Sequence, residues 1–136
     1  MTIDQLKIGD QASFSKTIAE SDVYMFAGIT GDMNPAHINK VEAENGLFHG
    51  QVAHGMLVAS LISTVLGMQL PGPGTIYMGQ ELKFVYPVYL GDTITAKAVV
   101  ESIDPVKKMI RMKTTCINQN GETVIEGYAN ARPPRS

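Results

Sequence analysis

The sequence predicts an α+β fold in which one curved antiparallel sheet wraps around one apolar helix. Two observations carry that expectation. The stretch from Gly55 to Leu70, "GMLVASLISTVLGMQL", is apolar around most of its circumference, so a helix there needs cover on nearly all sides. From Thr75 onward the hydrophobic period changes from helical to two, which gives four consecutive strands, each with one apolar face to offer. A sheet curled around the helix satisfies both demands.

The 136 residues fit one domain, 1–136, large enough to enclose a core without disulfides or a structural metal. Apolar residues make up 44% and charged residues 18%, a globular balance, and a net charge of -2 leaves no broad basic surface for nucleic acid. Cys116 is the lone cysteine, so no intrachain disulfide can form. The start "MTIDQLKIGDQASF" lacks the basic and apolar regions of a secretion signal, and a cytoplasmic location is expected. The apolar helix is shorter than the roughly 20 residues a membrane span needs, and it carries Ser60, Ser63, Thr64 and Gln69 before "PGPG" ends it.

Along the chain, "SFSKTI" (Ser13 to Ile18) reads as a short strand in which Phe14, Lys16 and Ile18 alternate with smaller residues. Ser21 is expected to cap a helix whose stripe is Val23, Phe26, Ala27 and Thr30, with Asp22 at the positive end of its dipole and Gly31 as its stop. In the Gly55 to Leu70 helix, Ser60, Ser63, Thr64 and Gly67 recur at spacings of three and four, a narrow face of small residues where something packs closely or a ligand passes. The strands are "ELKFVYPV" (81–88), "TITAKAVVE" (93–101), "MIRMKTTCIN" (109–118) and "TVIEGYANA" (123–131). Gly91-Asp92, Asp104-Pro105 and Asn120-Gly121 separate them, and "RPPRS" is a tail. No linker, repeat or low-complexity tract interrupts this plan.

The chemistry gathers in "GDMNPAHINKVEAENGLFHGQVAHG" (31–55), which holds all three histidines. Asp32 and His37 are five positions apart, which on a helix would turn them away from each other, but Asn34-Pro35 breaks the helix and lets both converge on a turn. A carboxylate and an imidazole in one cavity can hold a water and move its protons, as addition or elimination of water requires. Alone, Asp-Asn-Pro is a capped turn beside an ordinary histidine. Here it shortly precedes His54-Gly55, where a helix start leaves amides unpaired and glycine lets a ligand approach the backbone. Those amides can receive a polarised carbonyl oxygen.

"GDMNPAHIN", then "VAHGMLVASLISTVLGMQLPGPGTIYMGQELKFVYPVYLGDTITA", resembles the MaoC-like hydratases, specifically the (R)-specific enoyl-CoA hydratases of the hot dog fold. The likeness covers almost the whole chain, including Phe84, Pro87, Val88, Gly91 and Asp92 of the pattern "FxxPVxxGD". It implies a sheet wrapped around a central helix, a homodimer with joined sheets, and no cofactor beyond the coenzyme A of an acyl-CoA substrate. It makes Asp32 and His37 the catalytic pair and Asn34 the keeper of the turn and of the water geometry. It gives the Gly55 N–H to the thioester oxygen and sets Ser63 in the site, bonded to Asp32. Leu66 would help form the acyl pocket, His54 would be a structural residue at the helix start, and the loop around His49 would shape coenzyme A access. The product would be a (3R)-3-hydroxyacyl-CoA, a unit that can link fatty acid oxidation to polyhydroxyalkanoate synthesis.

Other readings remain open. A metal site from Asp32, His37, His49 and His54 is chemically conceivable, but its spacing matches no zinc signature, and none is expected. Cys116 sits mid-strand without an adjacent base and reads as buried and structural. The alternatives in function are a hot dog thioesterase, a dehydratase acting on acyl carrier protein, and a noncatalytic acyl-CoA-binding domain.

Overall fold

The computed structural model describes residues 1–135. After a 3-10 turn (Ile3–Gln5) come strand β1 (Gln11–Thr17) and helix α1 (Glu20–Thr30), then the short helices α2 (Pro35–Ile38) and α3 (Lys40–Glu44). Helix α4 (Gly55–Thr64) continues into a wider helical turn (Val65–Gln69), so the expected helix from 55 to 70 is present to within a residue. Strands β2 (Ile76–Phe84), β3 (Thr93–Asp104), β4 (Met109–Ile117) and β5 (Thr123–Arg132) complete the chain. They form one antiparallel sheet in the order β1-β3-β4-β5-β2.

The alternation read from the sequence fixes the inner face. Ile94, Ala96, Ala98 and Val100 of β3, Ile110, Met112 and Cys116 of β4, and Val124, Ile125, Ala129 and Ala131 of β5 are all buried. Against them α4 sets Val58, Ala59, Leu61 and Ile62, followed by Val65 and Leu66. Each large aliphatic side chain buried this way contributes about 1.5–3 kcal/mol, which is where the helix draws its stability. Close approach of the strands is marked by Gly127: a Cβ there would lie 1.8 Å from the Glu81 carbonyl oxygen, so no side chain fits.

Three expectations are corrected. Strand β2 runs from Ile76 to Phe84 rather than over 81–88, because a bulge between Tyr77 and Gly79 disturbs the alternation and the chain leaves the sheet after Phe84. The N-cap of α1 is Ala19, not Ser21; Asp22 takes the capping role from inside the first turn, its Oδ2 accepting the Ala19 N–H at 2.9 Å. The central helix is not covered all round by this chain, since Met56, Ser60, Ser63 and Met68 stay exposed. That open flank lies on the face of small residues. Among the described residues no helix is long and apolar enough to cross a membrane.

Candidate active site

Gly31 ends α1 in the left-handed region, at φ 83°, where a side chain would be strained. The reversal places Asp32 back over the helix end. Thr30 Oγ1 donates to the Phe26 carbonyl at 2.8 Å and accepts the Asp32 N–H at 3.1 Å, which fixes the start of the turn. Asp32 Oδ1 then accepts the Asn34 N–H at 3.3 Å, and Asn34 Oδ1 caps α2 by accepting from Ala36 N at 3.1 Å. Pro35 occupies the first position of α2, where its lack of an N–H costs nothing. Asn34 therefore holds the turn, although it does not line the cavity.

Helix α2 carries His37 inward. Its Nδ1 lies 2.7 Å from the Val52 carbonyl oxygen. A carbonyl can only accept, so in the neutral ring Nδ1 bears the proton and Nε2 keeps a free lone pair. Gln51 braces this helix from behind, its Nε2 donating to the His37 carbonyl at 2.8 Å and reaching the Tyr24 hydroxyl at 3.3 Å. His54, buried at the start of α4, has its ring centroid 3.9 Å from that of His37. Ligand-capable atoms of Asp32, His37 and His54 all lie within 4.8 Å of one another.

The three residues border a cavity of about 600 Å³ whose other walls are largely apolar. Phe26 and Thr30 of α1, Gly55 and Val58 of α4, Phe84 at the end of β2 and Val85 to Val88 after it, and Val124 and Ile125 of β5 line it. Gly55, the first residue of α4, presents an N–H that the helix cannot use and that has no acceptor among the described residues. Its missing Cβ has a second reason, because one built there would stand 2.6 Å from Phe84 Cε1. An unpaired amide at the positive end of a helix, a carboxylate and an imidazole thus face one apolar recess.

The spacing of the trio also suits a metal, but the imidazoles are stacked, with centroids 3.9 Å apart and planes 28° from parallel, and His37 Nδ1 and His54 Nε2 already lie at hydrogen-bond distance from backbone carbonyls. His49 is exposed and stays outside the cavity, and its neighbour Phe48 is the loop residue that lines it. Cys116 is fully buried, and burial pushes its thiol up to about 12.

Two assigned positions fall elsewhere. Ser63 is exposed on α4, lines no part of the cavity and makes no hydrogen bond to Asp32. Eight residues after Gly55 it stands about 12 Å further along the helix, at the rise of 1.5 Å per residue, too far for a carboxylate held at the helix start. Leu66, in the wider turn that follows α4, is 1% exposed within the core cluster and not in the cavity wall. Conversely, Thr30, Gln51 and Phe48 support or line the site without having been singled out for it; the only sequence signal was that Thr30 stands at the end of the α1 stripe, one residue before Gly31.

Comparison with known proteins places this geometry among relatives. The sequence profile described as "MaoC like domain" matches residues 5–121. An (R)-specific enoyl-CoA hydratase of Rhodospirillum rubrum is 50% identical over 131 residues, 96% of this chain and 90% of that protein. The unliganded structure of R-hydratase PhaJ1 from Pseudomonas aeruginosa is 40% identical and superposes with a TM-score of 0.95, covering 99% of this chain and 86% of that one. The structure of an (R)-hydratase of Aeromonas caviae involved in PHA biosynthesis is 38% identical, with a TM-score of 0.93, over 96% of this chain and 98% of that one. The architecture is the hot dog fold of these hydratases.

Proposed function

We propose, on the premise that this chain belongs to the MaoC-like domain family, that it is an (R)-specific enoyl-CoA hydratase. It is a hydro-lyase that reversibly adds water to a trans-2-enoyl-CoA to give the (3R)-3-hydroxyacyl-CoA. The observation that carries the reading is the convergence of Asp32, His37 and the free Gly55 amide on one apolar cavity.

In this reading the thioester oxygen lies against the Gly55 N–H at the positive end of α4, and C3 of the enoyl group becomes electrophilic as negative charge grows on that oxygen. Water sits between the Asp32 carboxylate and His37 Nε2. Hydroxide adds to C3 while the water's other proton passes to the pair, and a proton is delivered to C2 on the same face; dehydration is the reverse. The two groups act as a coupled unit, so the proton is assigned to the pair. Thr30, Asn34 and Gln51 keep both groups in place. The reading needs no cofactor, coenzyme A being part of the substrate, and the Rhodospirillum rubrum relative, an enoyl-CoA hydratase, favours coenzyme A as the carrier.

The working unit in this proposal is a homodimer. Strand β2 ends the sheet with Ile76, Tyr77 and Met78 exposed, and the open flank of α4 adds Met56 and Met68. A second sheet joined at β2 would cover them. A cytoplasmic location and a role in supplying (R)-3-hydroxyacyl units for polyhydroxyalkanoate synthesis complete the proposal, the latter supported by the Aeromonas caviae relative. Incubation with crotonyl-CoA tests it: the conjugated thioester signal should fall while no free thiol appears. Release of coenzyme A without hydration would make the chain a thioesterase, and binding without turnover a noncatalytic domain; either outcome defeats the reading.

A further inference from the structure

We infer that His54 is a positioning residue of the hydration site, holding the Asp32 peptide with its Nε2–H and supporting the His37 ring with its face; this rests on the proposed hydratase reading. His54 Nε2 lies 3.0 Å from the Asp32 carbonyl oxygen, and because a carbonyl only accepts, the neutral His54 ring carries its proton on Nε2. His37 carries its own on Nδ1, toward Val52, so the stacked rings hold opposite tautomers. His54 also meets Phe26, with centroids 4.9 Å apart and planes at 56°. The result is a ladder from α1 through the start of α4 to α2.

Ordinary structural roles do not account for an imidazole here. As an N-cap, His54 contributes only backbone: its carbonyl accepts from Leu57 and Val58, and its side chain makes no capping bond. As core filler it is a poor choice, since His54 is 3% exposed and its Nδ1 is buried without a partner among the described residues, a cost that an apolar side chain would avoid. What imidazole alone supplies at this place is a donor on Asp32 and an aromatic face on His37, from the residue that also precedes Gly55. One side chain thereby sets the relative position of the carboxylate, the ring and the oxygen-binding amide.

The two contributions are separable. His54→Gln keeps an N–H at the reach of Nε2 but removes the face; His54→Phe keeps a face but removes the donor. Each is expected to lower kcat for crotonyl-CoA hydration by roughly 10- to 100-fold, the scale of misplacing a reacting group by about 1 Å, while KM moves by less than about threefold. A folded variant of either kind with kcat within about twofold of the parent overturns the inference. Should both fail to fold, 15N NMR of the unmodified protein decides: the proton on Nε2 of His54 and on Nδ1 of His37 is expected, and the opposite assignment for either ring overturns it. Asp32→Asn and His37→Ala separate the two levels. If the parent does not hydrate crotonyl-CoA the hydratase reading itself fails; if Asp32→Asn and His37→Ala keep normal turnover the catalytic pair is misassigned, and the role of His54 falls with it; if they are inactive while both His54 variants are normal, only the role of His54 fails.

Discussion

Replacing Gly55 with proline removes the amide proton assigned to the thioester oxygen while leaving α4 its start. Gly55 is the first residue of the helix, and its N–H has no acceptor among the described residues, so proline deletes a bond the helix never makes. The residue before a proline must be extended, and His54 already is, with φ -60° and ψ 133°. The complication is steric. A Cβ at this position meets Phe84 Cε1 at 2.6 Å and Cδ1 at 2.7 Å, so the ring must withdraw by roughly 1 Å to reach ordinary contact. Phe84 is 53% exposed and has room to swing. Gly55→Ala imposes the same Cβ and keeps the N–H, which makes it the control. An oxyanion donor is worth roughly 10²–10³ in kcat, about 2.7–4 kcal/mol, and Gly55→Pro should therefore hydrate crotonyl-CoA at least about 100-fold more slowly than Gly55→Ala. Steady-state kinetics on both variants, with circular dichroism to verify the fold, measures that ratio. Equal kcat in two folded variants would refute the role given to this amide.

Thr30→Val removes the hydroxyl that accepts from Asp32 N and should lower kcat about tenfold with little change in melting temperature; unchanged kcat would remove Thr30 from the support of the turn. Asp22→Ala should cost about 1 kcal/mol at neutral pH in urea denaturation. The Ala19 amide and then the Lys16 ammonium hold the Asp22 carboxyl below its ordinary range, so its contribution is present above about pH 4 and fades as pH falls through the lowered pKa. The gap between parent and variant should accordingly narrow at pH 3, and a gap independent of pH would contradict this. Cys116, fully buried with its thiol pushed up to about 12, should resist iodoacetamide at pH 8 until denaturant is added; rapid native labelling, read by mass spectrometry, would contradict the packing.

The helix from Gly55 and strands β3, β4 and β5 were legible because each buries one regularly spaced set of residues, and burial is what periodicity reports. Strand β2 was misplaced because it is an edge: Ile76, Tyr77 and Met78 are all exposed, so no alternation marks where it starts. The catalytic turn could be read from Asp32, Asn34, Pro35 and His37, since proline and a capping asparagine act locally. Ser63 and Leu66 were carried over by position in a motif, and the helix rise sets one far from Asp32 while packing draws the other into the core. Phe26, His37 and His54 share no local pattern. Their ladder arises only when α1 and α2 fold over the start of α4.

The stereochemical course of the reaction reports whether Asp32 and His37 deliver water and proton as one pair. With crotonyl-CoA in D2O, hydroxide and deuteron should add from the same face, since the proposed mechanism assigns both to one pair, Asp32 and His37, bordering one cavity. Chiral analysis of the product should give (3R)-3-hydroxybutyryl-CoA with a single C2 deuterium placed by syn addition. A 3S product, or anti addition, would contradict the account.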